Sequence, residues 1–269
     1  MQRIVAVIVH YGSADLTRRC LRSLTDSNPP PEIVVVDHQG DAAGWLPSEY
    51  PQSRLLEPGE NLGFGRGVNR GIAWALAQSR FDAVLLLNND ATVAPEAIGL
   101  LASALDASAD RALAAPRILL QTDPPTLWYG GGEVDWWRGS ARVPGAGGPG
   151  NTAEALEDRD VGFASGCAML LRLEALTRVG GFDPRFFLYE EDVELGLRLQ
   201  AAGWRSRYVA DAVVHHYGQG SQRHGDEPFQ PLQDPHNPRW RQLVELQVRN
   251  RLLAMTRHAH GTQRLRFRL

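Results

Sequence analysis

The sequence contains no lysine, so all 28 of its lysine-plus-arginine positions are arginine. A phosphate-binding loop of the Walker type, which ends in Lys and then Ser or Thr, is therefore excluded. Cysteine is almost as scarce: Cys20 and Cys167 cannot build a disulfide framework, and so low a count suits a reducing compartment. Charge of one sign is not in excess either. A formal net charge of −3 and an isoelectric point near 6.2 give no general attraction to a polyanion, and no nucleic-acid partner is expected. Long hydrophobic runs are also missing, since none reaches the ~18 apolar residues of a membrane span. The opening "MQRIVAVIVHYGS" turns polar too early for a secretory signal and reads as a first strand. These absences predict a cytoplasmic protein.

What is present is an alternation of strands and helices. Short β-branched runs at Ile4 to Val9, Ile33 to Val36, Arg54 to Glu57 and Ala83 to Leu87 are separated by helical spacing over Ala14 to Thr25 and Gly65 to Ala77, and Pro95 opens a third helix. The pattern predicts an α/β fold with a mostly parallel central sheet flanked by helices. Ligands of such sheets bind at the carboxyl ends of the strands. The polar residues that emerge there are His10 and Tyr11, then Asp37, then Asn88, Asn89 and Asp90 after "VLLL".

The second half is less regular. An aromatic cluster, "LWYGGGEVDWW", precedes "GSARVPGAGGPGN", which has the composition of a flexible loop. "VGFASGCAMLLRLEAL" reads as a strand entering a short helix, and "GGFDPRFFLYEEDVELGLRLQAAGW" as a turn entering an amphipathic helix. "RSRYVADAVVHHYGQGS" predicts two short strands ending in His215 and His216. Helical spacing over Arg239 to His258 leads to the basic tail "RLRFRL".

Several groups carry chemistry. Carboxylates beside neutral amides suit a divalent metal such as Mg²⁺ or Mn²⁺, although Asn and Asp also cluster in ordinary turns. In "GENLGFGRGVNRG" the glycines at 63, 65, 67 and 71 miss the dinucleotide register because Val68 holds the third place; a helix entry whose N–H groups can face an anion remains. Glu194 and Arg198 have the spacing of a surface ion pair. Glu191 and Asp192 flank the stripe of Leu195, Leu199 and Ala202, and spacing does not choose between them. Alternation along a strand lets one of His215 and His216 at most face a site. Trp128, Tyr129, Trp136 and Trp137 could stack on sugar rings or pack in the core.

Taken together, "VAVIVHYGSADLTRRCLRSL", "VVVDH", "NLGFGRGVNRGI", "LLLNNDATV", "ASGCAMLLRLEAL", "GGFDPRFFLYEEDVELGLRLQAAGW" and "VVHHYGQGS" resemble the inverting glycosyltransferases of family 2, with the GT-A fold, and most closely a rhamnosyltransferase-like branch. The resemblance implies transfer of a sugar, best guessed as L-rhamnose, from a nucleotide diphosphate to a hydroxyl of a saccharide or lipid-linked acceptor in bacterial polysaccharide or glycolipid synthesis. A uridine-linked hexose or galactofuranose donor and a non-catalytic sugar-nucleotide-binding protein are the alternatives. It divides the chain into a nucleotide-sugar-binding half (1–120), an acceptor-binding and catalytic half of the same domain (121–235), and a C-terminal helix with a basic tail (236–269).

Residue by residue, the resemblance puts Asp37 on the nucleobase with His10 and Tyr11 packed against it. Asn61, Gly63 and Asn69 fall near the ribose and diphosphate. "NND" stands in place of a D-x-D motif, with Asn88 toward the ribose, Asn89 beside it and Asp90 holding Mg²⁺ or Mn²⁺. His215 would complete the metal site, with His216 as the alternate. Asp192 matches the base that takes the acceptor proton, and Glu191 shapes its surroundings. Gly166, Trp136 and Trp137 are assigned to the acceptor. The segment from Gly139 to Asn151 would be a lid, and Arg249, Arg251, Arg257, Arg264, Arg266 and Arg268 would rest on anionic lipid at the inner face of the membrane or on a lipid-diphosphate acceptor.

Overall fold

The computed structural model describes residues 2–218 and 240–265. In chain order, strand β1 (Ile4–His10) is followed by helix α1 (Ala14–Thr25), β2 (Glu32–Asp37), a single turn α2 (Leu46–Glu49), β3 (Arg54–Leu56), α3 (Phe64–Gln78) and β4 (Ala83–Leu87). β5 (Ala91–Val93), α4 (Ala97–Asp106) and β6 (Arg111–Leu120) come next, then the short strands β7 (Thr126–Tyr129), β8 (Glu133–Asp135), β9 (Ser140–Arg142) and β10 (Arg159–Val161). β11 (Ala168–Arg172), α5 (Leu173–Val179), α6 (Glu191–Ala201), β12 (Arg205–His216) and α7 (Trp240–His258) complete the list of regular elements.

Local chemistry explains the boundaries. Ser13 caps α1 by accepting from Leu16 N, Asp15 lies in its first turn, and Thr17, Cys20, Leu21 and Leu24 form its buried stripe. β1 and β4 are buried along nearly their whole length, as strands covered on both faces must be. Leucine, isoleucine and valine in such positions each contribute about 1.5–3 kcal/mol by leaving water.

The main sheet has ten strands, in the order β10-β12-β6-β11-β4-β1-β2-β3, with β5 paired to β12 and β7 to β6. β3, β2, β1 and β4 are parallel neighbours, and β6 and β12 are parallel to each other. β11 is inserted antiparallel to both β4 and β6, so β3, β2, β1, β4, β6 and β12 all run the same way. The chain moves outward from β1 to β2 and β3, then returns to the other side of β1 with β4. That reversal opens a crevice at the carboxyl ends of β1 and β4.

Two expectations are corrected. The predicted pair of strands before the histidines is one strand, β12, whose register against β6 jumps between Val209 and Val213; a bulge absorbs the irregular stretch without ending the strand. The glycine-rich segment forms main-chain bonds in place of an open loop. β8 and β9 form a hairpin, Gly147 N donates to Leu127 O, and Leu127 N donates to Gly148 O. Among the described residues no helix is long and apolar enough to cross a membrane.

Candidate active site

The crevice is a cavity of about 550 Å³. Val9, Tyr11 and His38 line one end, Asn88, Asn89 and Asp90 the strand ends, Asn61, Gly63 and Phe64 the entry to α3, and Phe187, Leu188 and Tyr189 a turn before α6. Trp128 and His216 close another side, and Gln242, Leu243 and Leu246 of α7 add a wall that is largely apolar.

Asp90 lies at the centre of this arrangement. β5 and β12 are hydrogen-bonded with His216 opposite Ala91 and His215 opposite Thr92, and Tyr217 N donates to Asp90 O, which brings the end of β12 beside the turn that carries Asp90. His216 Nε2 is 3.2 Å from Asp90 Oδ1, and both side chains are buried. His216, not His215, is therefore the histidine beside Asp90; His215 points to the other face of the strand, where burial and Arg117 hold its pKa down. Burial opposes charging of the His216 ring as well, but Cys167 and Asp90 outweigh it, and its pKa is well above the ordinary value. Its Nδ1 is buried without a hydrogen-bond partner, and the edge of Trp128 packs on the ring with centroids 5.1 Å apart.

A carboxylate and an imidazole at one cavity wall, next to the amides of Asn88 and Asn89, form a donor set suited to Mg²⁺ or Mn²⁺. A second trio, His10, Asp37 and Asp41, also brings possible ligand atoms within 4.8 Å of one another. Those atoms already have partners. His10 bonds Thr17 through Nδ1 and Asp41 through Nε2, each at 2.7 Å, while Asp37 accepts from Gln39 N, Gly40 N and Ala42 N.

That network corrects two base-binding expectations. Asp37 is 2% exposed and shapes the 38–42 loop, and His10 is fully buried behind it. Tyr11 and His38 are the residues this region delivers to the cavity. Asn69 is also displaced from its expected place: its amide donates to Phe182 O and accepts from Phe182 N, clasping α3 to the turn before α6. Asn61 lines the cavity and accepts from Gly63 N. The α3 entry differs from a free anion site, because Phe64 N donates to Phe187 O. The later glycines of α3 serve packing: a Cβ on Gly71 would lie 2.3 Å from a Val7 methyl. Asn89 donates to Tyr11 O and Thr17 Oγ1, binding the ends of β1 and β4 together.

Asp192 lies outside the cavity wall but adjoins it. Its Oδ2 accepts from Gly166 N and its Oδ1 from Val193 N, both at 2.8 Å. A Cβ on Gly166 would meet the Phe64 ring at 3.0 Å and Asp192 Oδ2 at 3.7 Å, so a side chain there would require the ring to give way. Burial raises the Asp192 pKa, and the two amides offset this only in part. Glu191 is more deeply buried, its Oε2 has no hydrogen-bond partner, and burial together with the neighbouring Asp192 charge holds its pKa well above the usual range.

The expected acceptor tryptophans are elsewhere. Trp137 is 77% exposed, Trp136 packs partly against the core, and neither lines the cavity, whereas Trp128 does. Tyr129 is a core residue whose hydroxyl donates to Phe163 O. The Glu194 and Arg198 pair is not at the surface: Glu194 is fully buried, accepts from Arg198 and His258, and lies 3.5 Å from Arg257. Several of the arginines expected on lipid have internal partners. Arg249 donates to Arg185 O, Arg251 pairs with Glu190 and Arg257 with Asp183, while Arg266 and Arg268 lie outside the described residues. Sequence spacing missed His38, Asn250 and the α7 wall; a lone asparagine amid "LVELQVRNRLLAM" is a signal that could have drawn attention to α7.

Comparison with known proteins identifies the family and the fold. Residues 2–228 match the family model described as "Glycosyltransferase like family 2". An N-acetylglucosaminyl-diphospho-decaprenol L-rhamnosyltransferase of Mycobacterium tuberculosis is 33% identical over 91% of this chain and 89% of its own length. Rhamnosyltransferase WbbL of Escherichia coli is 41% identical over a shorter stretch, 24% of this chain and 25% of its own. Among solved structures, GalNAc-T7 with UDP, GalNAc and Mn²⁺ superposes with a TM-score of 0.66 at 16% identity, over 91% of this chain and 48% of that one. S. aureus TarS gives 0.56 at 16% identity, over 80% and 36%. This chain thus spans about half or less of either solved structure, and both are GT-A neighbours in fold alone.

Proposed function

As this chain belongs to glycosyltransferase-like family 2 and is a glycosyltransferase with the GT-A fold, we propose that it transfers L-rhamnose from deoxythymidine diphosphate rhamnose to a hydroxyl of a lipid-linked saccharide, inverting the anomeric carbon. The observation that carries this reading is the buried contact between Asp90 and His216 at the crevice where strand order reverses. The rhamnosyl donor and lipid diphosphate acceptor are supported by the relative that shares 33% identity over nearly the whole chain.

In this reading the nucleobase enters the end walled by Val9, Tyr11 and His38, and Asn61 and Asn88 take the ribose. Asp90 and His216 would hold a Mg²⁺ or Mn²⁺ ion, which when bound stabilises negative charge on the departing diphosphate. Asp192 accepts the proton of the acceptor hydroxyl as that oxygen attacks the anomeric carbon, and the bond to the diphosphate breaks on the opposite face. Gly166 N orients the carboxylate for this task. The apolar wall of α7 and Leu188 leaves room beside the sugar site for the first carbons of a lipid acceptor.

The test is transfer from the deoxythymidine- and uridine-linked sugars, each with Mn²⁺, to a synthetic N-acetylglucosaminyl diphosphate carrying a short isoprenoid. Rhamnosylated product with inverted configuration by NMR supports the proposal. Product from a uridine-linked hexose alone corrects the donor, and tight donor binding without any turnover identifies a binding protein.

A further inference from the structure

The two residues immediately before α6 have left-handed backbones: Tyr189 has φ 71° and Glu190 φ 67°. Neither is glycine, and such conformations cost of order 1–3 kcal/mol each unless the surroundings impose them. They are consecutive, and Asp192 follows two residues later.

The support comes from the distant α7. Asn250, fully buried in the middle of that helix, donates from one amide nitrogen to both Leu188 O, at 2.9 Å, and Tyr189 O, at 2.8 Å. Its Oδ1 accepts from Arg249 Nε and Nη2, at 2.9 and 2.7 Å. This settles the orientation of the amide, because two carbonyls require a donor and a guanidinium requires an acceptor. Arg249 also reaches Arg185 O, and Arg251 pairs with Glu190, so three successive residues of α7 grip the segment from Arg185 to Glu190. The same turn supplies Leu188 and Tyr189 to the cavity wall.

We infer that Asn250 is a positioning residue for Asp192: it holds the left-handed turn that aims the start of α6, and thereby sets the carboxylate against Gly166 N. The inference rests on the assignment of Asp192 as the base. Asn250 touches neither Asp90 nor His216, whose geometry is fixed by the pairing of β5 with β12. Removing it should therefore affect the base first and leave the Asp90–His216 pair intact.

The experiment compares wild type with Asn250→Ala and with Arg249→Gln, an exposed position whose change frees the Asn250 oxygen without opening the core. Turnover is followed with deoxythymidine diphosphate rhamnose, Mn²⁺ and the synthetic acceptor, well below each variant's melting temperature; binding of deoxythymidine diphosphate with Mn²⁺ is measured by calorimetry. Asn250→Ala should lower kcat about 10- to 100-fold, the scale of a misplacement near 1 Å, with the donor KM and nucleotide Kd unchanged within about twofold. Arg249→Gln should show the same split to a smaller degree, and it carries the test if Asn250→Ala does not fold. Unchanged kcat with a lowered melting temperature, or kcat and nucleotide affinity falling together, overturns the inference. A wild type that binds the nucleotide but fails to turn over, with Asp192→Asn indistinguishable from it, overturns the functional reading and this inference with it.

Discussion

His216 Nε2 lies 3.2 Å from Asp90 Oδ1 across 126 residues of sequence, with both side chains buried. The backbones that carry them are hydrogen-bonded, so this approach is built by a strand pair and does not depend on a flexible loop.

If these two residues hold the metal, Asp90→Ala and His216→Ala should each abolish the extra thermal stabilisation that Mn²⁺ gives to bound UDP or deoxythymidine diphosphate. His215→Ala should retain it. At ligand concentrations about 100-fold above Kd, a bound ligand adds roughly 2.7 kcal/mol of stability, enough to separate the three variants in a melting experiment. Equal behaviour of the two histidine variants would refute the assignment.

Asp192→Asn should reduce kcat by about 10²- to 10⁴-fold, the usual worth of a general base, while nucleotide affinity is kept. Because burial holds the carboxyl above its ordinary value of 3.8, and only its charged form accepts a proton, the rate should fall on the acid side at a higher pH than an ordinary aspartate would dictate. A pH profile of kcat checks this, and an acid limb at or below the ordinary value would count against Asp192.

Glu194→Gln should destabilise the protein by about 3–5 kcal/mol at neutral pH, because the Arg198 guanidinium loses its buried countercharge. Burial alone would raise the Glu194 pKa, but the His258 hydrogen bond and the Arg198 charge more than reverse it, and the carboxyl titrates below 4.5. A lowered folded-state pKa contributes stability that is present above the unfolded value and lost as pH falls through the folded one. The gap in melting temperature between wild type and variant should therefore be full at neutral pH and shrink in acid. A gap that widens in acid would show that the pair contributes in the opposite sense.

Gly63→Ala should cost about 1–3 kcal/mol and displace the turn before α6. The residue has φ 79°, and an added Cβ would lie 2.5 Å from Phe187 O. Differential scanning calorimetry would measure the loss; an alanine variant as stable as wild type would mean that the turn yields freely.

β1, β2, β4 and α1 were legible in the sequence because their apolar residues repeat at the periods of buried strands and of an amphipathic helix. Asp90 was legible for the same reason, standing where such a strand ends. The antiparallel insertion of β11 was not, since a five-residue apolar run carries no sign of its direction or its neighbours. Asp37 was misplaced because a carboxylate at a strand end looks the same whether it faces a ligand or caps its own loop; only the three amide donors decide. Glu194 has the spacing of a surface pair, and helix periodicity could not reveal that α7 covers it.

The pairing of β5 with β12 also has a consequence in time. During synthesis, Asp90 leaves the ribosome 126 residues ahead of its histidine partner, a delay of roughly 6–25 s at about 5–20 residues per second. Throughout that interval the nascent chain has the strands that shape the crevice but not β12, which carries His216. A stalled or truncated product ending before β12 would thus lack the histidine of the buried Asp90–His216 contact, however well its first strands had assembled.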